Sequence, residues 1–148
     1  MNKQKKLDLY FGFQSEDKVH KELEENFGEL NNTCDNEEYG KHFEFDKYND
    51  KCFLEIKTRR IPHNKYTSLM FGLNKLLKGD KLIEENKDLR IFYIWKCTDG
   101  LFYWEHGSSK YEIKFSGRTD RGCDERADLV HVSQENIKPL KDFCFSTE

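Results

Sequence analysis

Proline is scarce in this 148-residue chain: Pro62 and Pro139 are its only two. No Pro-, Gly- or Ser-rich stretch reads as a linker, and the length suits one domain rather than two well-filled cores. Long hydrophobic runs are missing too. Ile91–Trp95 falls far short of the ~20 apolar residues a spanning helix needs. The opening Met1-Asn-Lys-Gln-Lys-Lys-Leu7 has no apolar segment of a secretory signal, so a soluble, intracellular protein is expected. Cysteine supplies no framework. The five, at 34, 52, 97, 123 and 144, are odd in number and form no C-x-x-C pair. This excludes a zinc knuckle or disulfide scaffold and suits free thiols in a reducing compartment. Basic residues are not in excess: 25 Lys and Arg face 28 Asp and Glu, for a net charge of -3. A polycationic nucleic-acid coat is excluded; a local basic patch, or an acidic site that expects a metal, is not.

What is present is aromatic and charged. Phe, Tyr and Trp make up 14% of the chain, enough to argue against disorder despite 36% charged residues. After a lysine-bearing arm over residues 1–13, Ser15 is a candidate N-cap for a helix running to about Gly28. In it Val19, Leu23, Phe27 and Leu30 recur at helical spacing as one apolar stripe. Glu16 projects onto the middle of that stripe, a local misfit of the kind that marks function. Asn31–Gly40 reads as a polar loop. His42–Asn49 and Cys52–Thr58 read as a hairpin turning at Asp50-Lys51, Tyr66–Phe71 as a strand end, and Leu73–Asn86 as a second helix weakened by Gly79. Leu89–Lys96 and Leu101–His106 read as a hairpin around Thr98-Asp-Gly100, followed by short strands at Tyr111–Phe115 and Leu129–Ser133. The order predicts a mixed α/β (α+β) fold in a single domain over residues 1–148.

Along Cys52–Thr58, alternation puts Phe53, Glu55 and Lys57 on one face and Cys52, Leu54 and Ile56 on the other, towards a core. With the turn at Asp50-Lys51, Asp46 opposes Glu55 and Glu44 opposes Lys57, with Cβ atoms ~4.5–5.5 Å apart. Two bare carboxylates that close repel, and one is forced to protonate unless a cation lies between them. Hard oxygen donors of this kind suit Mg²⁺. The tripeptide pattern E-x-K alone is weak, because it occurs four times: at 16–18, 55–57, 85–87 and 112–114. The first and third fall on helices, where i and i+2 diverge. Glu112-Ile-Lys114, with Asp99 before it, is the competitor, and Asp35 is a substitute for Asp46 if the strands are longer. The basic loop Lys57-Thr-Arg59-Arg60, with His63 and Lys65, lies beside the favoured copy and suits phosphates. Phe92, Tyr93, Trp95, Phe102, Tyr103 and Trp104 could stack on bases, half of them more naturally serving as core. The histidines show no metal-ligand spacing.

Asp46…Glu55-Ile-Lys57 resembles the D…(D/E)-x-K signature of the PD-(D/E)xK nucleases. Gly12-Phe-Gln-Ser-Glu16 is similar to the glycine-to-glutamate segment of Holliday-junction resolvases, and small phage or large-virus nucleases have a related look. The resemblance covers about residues 12–96. It departs from the family pattern at Phe45, where the signature has proline, and in the short Asp46–Glu55 interval. It implies a restriction-endonuclease-like αβββαβ core with extra C-terminal strands, and hydrolysis of DNA phosphodiesters with Mg²⁺, which Mn²⁺ can replace. It further implies Asp46, Glu55, Ile56 and Glu16 at the metal, with Lys57 orienting water. Arg59, Arg60, Lys65 and Lys75 would bind nucleic acid, and a homodimer is expected if the substrate is a junction. The rival readings are the same fold with an inactive site, binding nucleic acid or a protein, and a plain interaction domain whose Glu55–Lys57 is a surface ion pair.

Overall fold

The computed structural model describes residues 17–117 and 127–143. They fall into two compact units, one holding residues 17–30 with Phe143 and the other residues 31–142. Ser15, Glu16, Cys123 and Cys144 lie outside the described residues.

In the first unit residues 17–27 form helix α1. Val19, Leu23, Phe27 and Leu30, the predicted stripe, are all buried. Gly28 ends the helix at φ +85°, a conformation open to glycine, and its N–H donates to the Glu24 carbonyl (2.9 Å). Glu24 Oε2 accepts the Leu30 N–H (2.9 Å). The Phe27 ring stacks on Phe143 at 4.8 Å, and Asn26 Nδ2 donates to the Phe143 carbonyl (3.1 Å).

Among its described residues the second unit has nine strands and one α-helix. A six-stranded sheet has the order β1-β2-β3-β5-β6-β9, and a three-stranded sheet the order β4-β8-β7. The first contains β1 (Asn31–Asn32), β2 (Lys47–Tyr48), β3 (Cys52–Thr58), β5 (Arg90–Cys97), β6 (Gly100–Glu105) and β9 (Lys138–Pro139). The second contains β4 (Ser68–Gly72), β7 (Glu112–Ser116) and β8 (Ala127–Ser133). Pro139, which has no N–H to give a ladder, sits on an outer strand. Helix α2 (Leu73–Glu85) follows β4, and together they carry the chain from β3 to its parallel neighbour β5.

The β2–β3 hairpin turns at the expected place. Asn49 N–H donates to the Cys52 carbonyl (3.0 Å), and Lys47 faces Leu54 and Tyr48 faces Phe53. The first strand is shorter than the predicted 42–49, because the chain before Lys47 is tied elsewhere. Thr33 N–H donates to the Asp46 carbonyl (3.0 Å), and Phe45 is fully buried. Glu44 is therefore not laddered against Lys57. Residues 31–32, read as loop, form the edge strand β1 on β2.

The one-sided core predicted for β3 needs correction. Cys52 and Leu54 are buried as expected, but Phe53, on the Glu55 face, lies in the principal apolar cluster. The reason is the parallel pairing with β5: inner parallel strands are covered on both faces. In β5, Ile91, Phe92, Tyr93, Ile94 and Trp95 are all buried. The base-stacking expectation fails too: on β6, which pairs antiparallel with β5, the alternating Phe102 and Trp104 join the core, and among the six aromatics only Tyr103 keeps part of its surface. Phe71 of β4 stacks on Tyr93 of β5 at 3.9 Å, and Trp95 Nε1 donates to the Met70 carbonyl (3.0 Å), joining the two sheets. Gly79 costs α2 propensity but is needed for packing: a Cβ there would lie 2.9 Å from His106 Cε1.

Candidate active site

Glu55 occupies the middle of an inner strand and is only 8% exposed. The β2–β3 register, continued one step beyond Lys47, sets Asp46 against it. Asp46 N–H donates to the Leu54 carbonyl (2.9 Å), and its Oδ2 accepts the Ile56 N–H (2.8 Å). The exposed Asp46 carboxylate is thereby pinned over β3, within hydrogen-bonding reach of Glu55. Burial first, and then Asp46, push the Glu55 carboxyl up to about 8. Asp35, the substitute weighed from sequence, lies exposed in the 3₁₀ turn Thr33–Asp35; the acid beside Glu55 is Asp46.

Two lysines complete the cluster. Lys57 shares the Glu55 face of β3, where burial, followed by the charge of Arg59, lowers its pKa from the usual lysine range. Lys75, on the first turns of α2, is half-buried rather than turned to solvent. Its Nζ donates to the Glu44 carbonyl (2.8 Å) and lies 3.3 Å from Glu55 Oε2. The family resemblance implies Lys75 near phosphate; its direct ion pair with Glu55 has no local signal, because it depends on how α2 packs on the sheet. Tyr93 was also missed. It is the in-register neighbour of Glu55 on β5 and is fully buried. Its hydroxyl meets His106 Nδ1 (2.9 Å), and His106 Nε2 meets Asp80 Oδ1 (2.7 Å), so a polar thread joins β5 and α2 through the residue that follows β6.

Arg59 N–H donates to the Lys96 carbonyl (2.8 Å), and its charge is felt by Lys57. Arg60 and Lys65 are exposed, with Lys65 Nζ 5.6 Å from the centre of the Tyr66 ring. His63 and Asp99 are paired with each other, which removes Asp99 as a partner for Glu112. Glu112-Ile-Lys114 lies on β7 in the other sheet, with its Glu and Lys side chains 71% and 56% exposed.

Among the described residues no three His, Cys, Asp or Glu side chains gather as a metal cluster. The donor set of the site is the pair Asp46 and Glu55, two hard oxygen donors. That pair fits a cation that keeps most of its water shell and takes one or two carboxylates. The raised Glu55 pKa supports the fit: without a cation a proton holds the two acids together. No helix among the described residues is long and apolar enough to cross a membrane.

A profile of the family described as "Phage putative PDDEXK endonuclease" matches residues 12–143. No curated protein and no solved structure matches the chain.

Proposed function

The chain belongs to the phage PDDEXK endonuclease family, and on that premise we propose that it is a divalent-metal-dependent endonuclease acting on DNA phosphodiesters, with Asp46, Glu55, Lys57 and Lys75 as its working centre. The observation that carries this reading is Glu55, buried on an inner strand against Asp46 with a lysine on α2 in contact. A buried carboxyl with its pKa displaced by burial and a second acid is seldom placed there without a use.

In this reading Asp46 and Glu55 hold Mg²⁺, with Mn²⁺ able to substitute, and Ile56 and Glu16 add further ligands. When bound, the cation makes water a nucleophile at neutral pH and offsets charge on the phosphoryl oxygens. Ile56 N–H keeps Asp46 turned towards Glu55. Lys75 holds Glu55 in one rotamer and favours its ionised form. Lys57, with its lowered pKa, takes a proton from the attacking water more readily than an ordinary lysine, and when charged it faces the phosphate. Arg59, Arg60 and Lys65 bind flanking phosphates. Helix α1, β2, β3, β4, α2 and β5 supply the αβββαβ order, with β4 carried in the second sheet. The family match spans both compact units, which supports treating residues 1–148 as one working domain in a phage or virus protein that acts inside cells.

The test is incubation of supercoiled and branched DNA with the protein in Mg²⁺, Mn²⁺ or EDTA. Metal-dependent nicking or linearisation is expected, and EDTA stops it. Binding without cleavage under all metal conditions would remove the catalytic reading.

A further inference from the structure

The exposed Glu-Ile-Lys of β7 plays no part in the proposed site, yet the strand that carries it has an unusual surface. β7 is an outer strand of the three-stranded sheet, and among the described residues it is laddered only to β8. An outer strand presents N–H and C=O groups that another strand can pair with. Ile113 and Phe115 share one side of β7 and are 50% and 63% exposed; Tyr111, directly before the strand, is 40% exposed with one edge against Trp104, and the three are among the five exposed large hydrophobics of the described residues. Ile113 stands opposite Val130, which is fully buried, so the apolar side of this sheet runs past its own edge. The other side carries Glu112 and Lys114, 3.1 Å apart.

We propose that β7 pairs antiparallel with β7 of a second copy of this chain about a two-fold axis through Ile113. The pattern of the strand selects this register. Antiparallel partners project to the same side, so shifts that set apolar residues against charged ones are excluded. Centring on Lys114 sets lysine against lysine, and centring on Glu112 sets glutamate against glutamate. Centring on Ile113 places Ile113 against its own copy, Tyr111 against Phe115, and Glu112 against Lys114 twice. The interface is self-complementary in both charge and apolar surface, as a two-fold contact must be. The two three-stranded sheets then join into one of six strands, and the exposed apolar side chains of β7 are covered. The dimer is independent of the nuclease reading.

Sedimentation velocity of the full chain over a micromolar concentration series tests it. The wild type is expected to self-associate. E112K and K114E each turn both opposed pairs into like charges and should each weaken the dimer about tenfold or more. An equimolar mixture of E112K and K114E restores opposite charges at every opposed position and should re-form dimers. Both side chains are exposed, so circular dichroism spectra of the variants should match the wild type, and any fall in Tm should follow the loss of the dimer. A wild type that stays monomeric, charge reversals without effect, or a mixture that fails to associate would each overturn the proposal.

Discussion

The chain contains the tripeptide Glu-Ile-Lys twice, each time in a β-strand, and the two copies behave oppositely. On β3, Glu55 is buried, its carboxyl pushed up to about 8, with Asp46 opposed, Tyr93 alongside and Lys75 in contact. On β7, Glu112 stands in solvent and pairs with the lysine two residues on. Residue types and backbone geometry are shared, so neither makes a site. What differs is the strand's position in its sheet and what the rest of the chain brings to it. An inner strand covered on both faces lowers the local dielectric and multiplies every charge interaction; an outer strand leaves them to water.

Truncating the lysine of each tripeptide should separate the two strands most widely. Lys57→Ala is expected to reduce metal-dependent cleavage by about a thousandfold, in the upper range for loss of a general base or a charge stabiliser. Lys114→Ala should stay within about twofold of wild type. Initial rates of plasmid nicking read both, and equal losses would erase the distinction between the copies.

Stability against pH gives the next largest contrast. The folded state holds a proton on Glu55 up to about pH 8, whereas the unfolded chain releases it near the ordinary value of 4.5. Between those values the folded state binds more protons, so stability of the metal-free protein falls as pH rises, by an amount on the order of a few kcal/mol. Below that window both states are protonated and the cost is absent. Urea unfolding in EDTA at pH 5 and pH 8.5 should show this fall in the wild type and in Glu112→Gln, and its loss in Glu55→Gln. Mg²⁺ should recover more stability at pH 8.5 than at pH 5, because the cation displaces a proton at low pH.

Lys75→Met tests the neighbour that the sequence pattern alone does not supply. Removing its charge leaves Glu55 with burial and Asp46, both of which raise its pKa, so the descending limb of the stability profile should move to higher pH. Cleavage should fall by about ten- to a hundredfold, the loss expected when one supporting charge-assisted hydrogen bond disappears. A Lys75→Met enzyme with wild-type rate and an unmoved profile would remove α2 from the site.

How much of this was legible follows from the range of each interaction. The hairpin register is local: a two-residue turn between strands of alternating pattern fixes Asp46 against Glu55, and sequence reaches it. The α1 stripe and the bounds of β3 and α2 were legible for the same reason. The double-sided burial of β3 was not, because it is created by β5, which pairs in parallel across about forty residues of chain. The placing of β4 in another sheet and the reach of Lys75 onto Glu55 are likewise non-local. The aromatic run Phe92–Trp95 looked ambiguous for lack of that same information. Alternation tells which residues share a face, not whether another sheet covers it. The misfit Glu16, the boldest expectation from the helical stripe, lies outside the described residues and is open to mutation alone.

Asp46 is held in register by a local turn. Asn49 Oδ1 accepts the N–H groups of Lys51 (2.9 Å) and Cys52 (3.0 Å), closing the turn between the acids. Asn49→Ala leaves those two donors to water and should cost about 1 kcal/mol, a Tm fall of roughly 3 °C for a chain of this length. Ser108 Oγ, which donates to the Glu105 carbonyl (2.7 Å) in the turn leading to β7, serves the exposed copy of the tripeptide, and Ser108→Ala should cost a similar amount. The two variants separate in activity. Loosening the 49–52 turn frees Asp46 relative to Glu55 and should lower the cleavage rate about three- to tenfold, whereas loosening the turn before β7 should not change it. Asn49→Asp, which keeps the accepting oxygen, should restore the rate; if it does not, the turn contributes to stability alone.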